Sequence, residues 1–262
     1  MNPRKRNNFE NKGKRPDRAE IERLRKEEAI SSWIPKTELG KRVKSGEIKN
    51  IDQILDKGIK ILEPIIVDML LPNLESELIT IGQAKGKFGG GKRSIWKQTQ
   101  KKTGKGNKPK FATVALIGTK DGYVGLGHGS SRERVPGREK AVRRAKLNII
   151  KIRRGCGSWS CACGENHSIP FEIVGKCSSV KVKLMPAPKG TNLTAHKEIQ
   201  KILRFAGIKD VYSKTFGQTK TQLNLVKACM DALQQLNAIK VKPSYFKRSG
   251  LTEGKNDKNN NS

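Results

Sequence analysis

The chain has 262 residues, with 55 Lys and Arg against 24 Asp and Glu, for a formal charge of +31. Soluble domains usually carry a net charge of magnitude about 2–8, so this excess argues against a merely solvated surface and for a polyanionic partner that offsets self-repulsion. There is no run of 18 apolar residues, so a membrane-spanning helix is not expected, and residues 1–18 hold no apolar stretch of the kind a secretory signal needs. Cys156, Cys161, Cys163, Cys177 and Cys229 are accordingly expected in a cytoplasmic protein as reduced thiols or metal ligands, not as disulfides.

The charge is segregated. Residues 84–110 carry ten Lys and Arg and no Asp or Glu, residues 132–154 carry ten against Glu133 and Glu139, and residues 47–79 reverse the balance with seven acidic and three basic residues. Solubility alone requires no such segregation; gripping phosphates does.

In chain order, residues 1–30 predict a basic, partly disordered arm, with a short charged helix over 19–30. From Asn50 to Leu71, apolar residues at Ile51, Ile54, Leu55, Ile61, Leu62, Ile65, Ile66, Met69 and Leu70 predict two short amphipathic helices, broken near Gly58 and Pro64. Leu78–Ile81 predicts a strand, and 84–110 a Gly- and Lys-rich loop too polar to pack a core. Phe111–Ile117 is a continuous apolar run, as in a buried strand. Lys120-Asp121-Gly122 marks a hairpin turn and Tyr123–Gly127 the returning strand. Pro136–Ile150 predicts a helix with Ala141, Val142, Ala145 and Ile149 on one face. Within 31–155 the order is α-β-β-β-α, the layout of a double-stranded-RNA-binding module.

After a Cys-rich linker at 156–168, a second unit is expected over 169–240. Ile169–Val174 and Val180–Leu184 read as strands, the latter alternating Val180, Val182 and Leu184 with Lys181 and Lys183. Ala195–Ala206 is a helix with a stripe at Ile199, Ile202, Leu203 and Ala206, and Val211–Phe216 a strand. Thr219 and Gln222 suggest a capping box ahead of a helix presenting Leu223, Val226, Met230 and Leu233. The expected fold class is α+β, an N-terminal α-β-β-β-α domain plus a C-terminal β-β-α-β-α domain, with 241–262 a disordered tail.

The basic loop supplies the first candidate site: Lys85, Lys87, Lys92, Arg93, Lys97, Lys101, Lys102 and Lys105, among glycines that let the backbone approach phosphates closely. Arg143, Arg144, Arg153 and Arg154 are expected to extend one positive face from the helix into the linker. Gly86-x4-Gly91-Lys92 fits the start of a phosphate-binding loop of nucleotide hydrolases, but Arg93 stands where Ser or Thr must hold magnesium. Cys156-x4-Cys161-x-Cys163-x3-His167 offers three sulfurs and an imidazole, a donor set suited to tetrahedral zinc. Packing cysteines beside a hydrogen-bonded histidine is the alternative, with Cys177 a substitute ligand and Cys229 a core residue. His128 and His196 have no neighbour in sequence that suggests a catalytic set. Trp33, Trp96 and Trp159 can stack on a base or simply pack.

Several segments together carry a resemblance. They are Trp33-x-Pro35-Lys36-Thr37-x-Leu39-Gly40, IDQIL…ILEPIIVDMLLPNL (51–74), DGYVGLG (121–127), AKLNIIKIRRGCGSWSCACGENHSIPF (145–171), VGKCSSVKVKLMPAPKG (174–190) and AGIKDVYSKTFGQTKTQLNLVKA (206–228). In that order the chain resembles the universal small-subunit ribosomal protein five family, in its archaeal branch. The resemblance implies a double-stranded-RNA-binding-like first domain and a second α+β domain with a left-handed crossover. It also implies a non-enzymatic role in the ribosome: contact with small-subunit rRNA near the decoding region, with mRNA, and with neighbouring proteins around the channel by which mRNA enters, contributing to translational accuracy. By position it marks a loop at about 84–110, Arg153-Arg154 and Lys189-Gly190. It implies no small-molecule substrate and no membrane. A free-standing RNA-binding or annealing protein is the alternative that the charge alone would also allow.

Overall fold

The computed structural model describes Leu24, Glu27, Glu28 and residues 30–83, 93–161 and 163–254. The expectations for residues 1–18, for Lys85, Lys87 and Lys92, for the Gly86–Lys92 motif and for 255–262 lie outside the described residues, as does most of the 19–30 helix; Leu24, Glu27, Glu28 and Ile30 of it are helical.

Three short helices follow: α1 (Glu38–Lys44), α2 (Asp52–Leu55) and α3 (Pro64–Leu70). Thr37 caps α1 by accepting from the Gly40 N–H, and Pro64 starts α3, where its missing N–H leaves no helical bond unmade. Glu63 gathers this region: its carboxylate accepts from Trp33 Nε1 at 2.8 Å and from the backbone N–H groups of Lys36 and Thr37. Trp33 is buried by this contact, which favours packing over stacking on a base.

The first sheet contains β1 (Glu75–Ile79), β2 (Lys97–Thr103), β3 (Gly106–Gly118), β4 (Tyr123–Ser131) and β5 (Ile149–Lys151). β3 is its centre. β4 lies along one edge, while β1 and β2 share the other in succession: β1 pairs with 114–118 and β2 with 106–112. The predicted loop at 84–110 is therefore corrected. From Lys97 onward it is a regular hairpin, because antiparallel ladder bonds need no buried side chains and Gly104-Lys105 closes the turn with Gly106 at φ +109°.

Helix α4 (Arg134–Leu147) crosses one face of this sheet, with Ala141 and Ala145 fully buried. The close approach rests on alternate glycines of β4. A Cβ on Gly125, Gly127 or Gly129 would come within about 2.3 Å of α4 backbone atoms, so only glycine permits this packing. Lys146 of α4 pairs with Asp68 of α3 at 2.6 Å, with both side chains largely buried.

The opposite face, with Ile79, Val114, Leu116 and Val124, joins the main core formed with the C-terminal half. There β7 (Ile173–Cys177), β8 (Val180–Pro186), β9 (Leu193–Thr194) and β10 (Val211–Phe216) form a second sheet of order β7-β8-β10-β9. Helices α5 (Lys197–Phe205) and α6 (Gln222–Ala238) pack on it. The α5 stripe is as expected. The α6 stripe is wider, adding Leu225, Ala228, Ala232 and Leu236, because the helix lies against Gly175 of β7 and buries a broad arc. The expected capping box does not form: Thr221 is the N-cap, without a side-chain bond, and Gln222 is buried in the first turn.

The expectation of a disordered tail from 241 is corrected over the described part. The chain forms α7 (Pro243–Ser249), ends it at Gly250 in a left-handed conformation (φ +57°), and returns as β11 (Thr252–Glu253) antiparallel to β6 (Arg153–Arg154). The pull is electrostatic: Glu253 meets Arg153 at 2.6 Å.

Candidate nucleic-acid interface and metal centre

The outer hairpin buries almost nothing. All residues of β2 except Thr103 are exposed, and β3 is exposed from Gly106 to Lys110 before it enters the core at Phe111. At about 3.4 Å per residue this arm stands roughly 17 Å beyond the core. It carries Lys97, Lys101, Lys102, Lys105, Lys108 and Lys110 without a carboxylate. Lys101 and Lys108 are direct cross-strand partners, an arrangement that destabilises a free hairpin. Thus Lys97, Lys101, Lys102 and Lys105 sit together on one arm, and Lys108 and Lys110 belong beside them. These last two are absent from the sequence-derived site because their strand partners are invisible without the hairpin register.

At the root of the arm, Arg93 donates from Nη1 to the Lys220 carbonyl oxygen at 2.8 Å, tying the arm to the C-terminal half. The Arg134 guanidinium lies 5.3 Å from the centre of the Phe111 ring. On the exposed side of α4, Arg143 and Arg144 face outward, and Arg144 donates to the His128 carbonyl oxygen at 2.9 Å. His128 records this environment: burial, and then the charges of Arg144, Lys227, Lys110 and Lys97, lower its pKa from the usual 6.5. Arm and helix therefore form one continuous cationic region.

Arg153 and Arg154 do not belong to it, which corrects their assignment to a positive surface. They are 8% and 3% exposed. Arg153 bonds Glu253 and the carbonyl oxygens of Leu236 and Ile239, and Arg154 donates to the Gly254 carbonyl oxygen. A guanidinium has five donors in a planar fork, and here they hold the end of α6 and the returning β11 instead of phosphates. The missing signal was the return of β11. Lys189 is exposed, 2.9 Å from Glu165, in a turn completed by Gly190 at φ +90°.

The linker is packed rather than free. Gly155 pairs with Ser168, and the hydroxyl of Ser168 donates to the Asp210 carbonyl oxygen. This fold brings the sulfurs of Cys156, Cys161 and Cys163 and a ring nitrogen of His167 within 4.8 Å of one another. Four ligands around a zinc ion at about 2.0–2.3 Å would stand under 4 Å apart, so a small inward movement closes the site. His167 Nδ1 lies 2.8 Å from Asp210 Oδ2, leaving Nε2, 3.9 Å from the Cys161 sulfur, on the cluster side. The backbone N–H of Lys189, with further bonds from Cys163, brings the Cys161 thiol down to about 6, whereas burial pushes Cys156 up to about 11. Of the two, Cys161 is thus the readier to lose its proton, as metal binding requires. The four residues can hold a metal ion. Cys177, in β7, and Cys229, fully buried on α6 with its thiol pushed up to about 12 by burial, are not in the cluster.

Comparison with known proteins agrees with this architecture. Residues 95–153 match the model of the ribosomal protein S5 N-terminal domain and residues 175–243 that of its C-terminal domain. The small ribosomal subunit protein uS5 of Nanoarchaeum equitans is 53% identical over 225 residues, covering 86% of this chain and 96% of that protein. Its counterpart in Staphylothermus marinus is 46% identical over 207 residues (79% and 90%), and that of Methanocaldococcus jannaschii 41% over 226 residues (86% and 97%). With both domains matched and near-complete coverage of its relatives, the chain belongs to the uS5 family of small ribosomal subunit proteins, in its archaeal type.

Proposed function

We propose that the chain is a structural, non-enzymatic constituent of the small subunit of the cytoplasmic ribosome, where it binds rRNA near the decoding region and meets mRNA and neighbouring proteins around the channel by which mRNA enters. One observation supports this most directly: an arm that buries nothing and sets Lys101 opposite Lys108. Such an arm is an electrostatic liability until phosphates lie against it. Lys97, Lys101, Lys102, Lys105 and the outward Arg143 and Arg144 are the contacts this reading assigns, together with Arg93 and Lys189 and, outside the described residues, Lys85, Lys87 and Lys92. Cations displace condensed counterions and the hairpin supplies shape, as double-stranded RNA recognition requires. Arg153 and Arg154 act inside the protein.

Zinc is the ion this reading assigns to Cys156, Cys161, Cys163 and His167. Three thiolates and an imidazole, all four positions closed by protein, describe a structural site rather than a catalytic one.

The test is incorporation. The chain with Lys101→Glu and Lys102→Glu, expressed beside the wild type, is expected to be depleted from small subunits in a sedimentation profile. Equal incorporation would refute the assignment of the arm, and absence of the wild-type chain from salt-washed small subunits would refute the ribosomal reading itself.

A further inference from the structure

A groove of about 590 Å³ opens beside the metal cluster, between the linker and the segment joining α6 to α7. Cys156 and Cys161 of the cluster line it together with Trp159, Phe171, Ile239, Tyr245, Lys240 and Lys242. Trp159 is 99% exposed. It stands in a turn between Cys156 and Cys161, where the Cys161 N–H bonds back to the Ser158 carbonyl oxygen. The loop that carries the cluster therefore leaves an indole in solvent at the groove it helps to line. Ile239, on the segment after α6, and Tyr245, on α7, are also left exposed, at 44% and 53%. A tryptophan buries roughly 150–250 Å² when covered, so three neighbouring apolar side chains left in water mark a surface that something covers.

From this geometry we infer that the groove binds one unpaired nucleotide of RNA, its base stacked on Trp159 and its phosphate met by Lys240 and Lys242. The charge selects this occupant. Among the described residues two lysines and no Asp or Glu line the groove, and neither lysine has an ion-pair partner there. Lysine is depleted from protein–protein contacts, whereas a cation beside an exposed aromatic is the arrangement that holds single-stranded nucleic acid. The volume falls within the range of small-ligand pockets. The inference rests on the proposed function in that the RNA would be the one the subunit contains. It adds a site far in sequence from the basic arm, of a different kind: stacking on one base rather than charge against a backbone.

Because Trp159 touches so little, its replacement leaves the fold intact. The full-length chain is titrated with oligouridylate at low ionic strength while tryptophan fluorescence is followed. Quenching is expected in the wild type and its loss in Trp159→Ala, with affinity for the groove reduced roughly 5- to 150-fold, the range of one stacked base. Lys240→Glu with Lys242→Glu should weaken quenching without changing the spectrum of the free protein. In a second arm, a photoreactive phenylalanine analogue at position 159 is incorporated into small subunits and irradiated. A cross-link to one rRNA nucleotide is expected. A cross-link to a protein, or none, overturns the inference. Because incorporation is measured in the same particles, such failure stays distinct from failure of the ribosomal reading.

Discussion

His167 Nδ1 lies 2.8 Å from Asp210 Oδ2, and both side chains are about 95% buried. Asp210 comes from the approach to β10, and its other oxygen accepts from the Asn192 N–H. The carboxylate therefore fixes the histidine ring and its tautomer from outside the Cys-rich loop. Such outer partners typically contribute 10- to 100-fold to metal affinity. Asp210→Ala should weaken zinc binding by about that factor in competition with a chromophoric chelator. Asp210→Asn, which keeps an acceptor oxygen, should weaken it less. Equal affinity in all three proteins would remove His167 from the ligand set.

The pairing of β11 with β6 makes Glu253 a structural residue. Removing it leaves the buried Arg153 guanidinium with carbonyl oxygens only. Because the Glu253 side chain is one-third exposed, the loss should fall below that of a fully buried pair: Glu253→Ala is expected to cost about 1–3 kcal/mol in urea unfolding. An unchanged midpoint would mean that the return strand is dispensable.

Much of this was legible in the sequence, for physical reasons that can be named. The α5 stripe and the alternation in β8 were readable because each element buries one face and exposes the other. That Cys156, Cys161, Cys163 and His167 come together was readable because their short spacing keeps them within one loop. What escaped were long-range pairings. The β2–β3 arm has no hydrophobic pattern, since its order comes from ladder bonds alone. Arg153 and Arg154 looked like surface cations because nothing local announces a partner 100 residues away. Asp210 escaped for the same reason: it joins the cluster only through space.

The glycines of β4 make a sharper claim. A Cβ on Gly127 would stand 2.2 Å from the backbone of Ala141 and Ala145, atoms that cannot move without lifting α4. Gly127→Ala should cost at least about 3 kcal/mol, at the upper end for overpacking. Gly104→Ala, where a Cβ meets nothing within 4 Å, should stay within about 0.5 kcal/mol. Similar urea midpoints for the two would contradict the close packing of α4 on β4.

His128 offers a pH readout. Its pKa is lowered in the folded protein by burial and by Arg144, Lys227, Lys110 and Lys97. A base whose folded pKa lies below its unfolded value binds more protons when unfolded. The contribution to stability is therefore full above the usual 6.5 and is lost as pH falls through that value toward the folded pKa. Phosphates against the same cations reverse the field. The His128 pKa measured by NMR titration should rise when the protein binds structured RNA. A value unmoved by saturating RNA would place the phosphates away from α4 and the root of the arm.

Lys101 and Lys108 give the test in which two readouts move in opposite directions. In the free protein the two residues are direct cross-strand partners, and removing one lysine relieves repulsion worth a few tenths of a kcal/mol. Lys101→Ala or Lys108→Ala should therefore leave thermal stability unchanged or raise it slightly. On RNA each substitution deletes a phosphate contact, lowering affinity and reducing the slope of log affinity against log salt by roughly 0.7–0.9. A lysine retained for folding would lower stability and leave the salt slope alone. A lysine retained for RNA does the reverse, and measuring both on one protein separates the two.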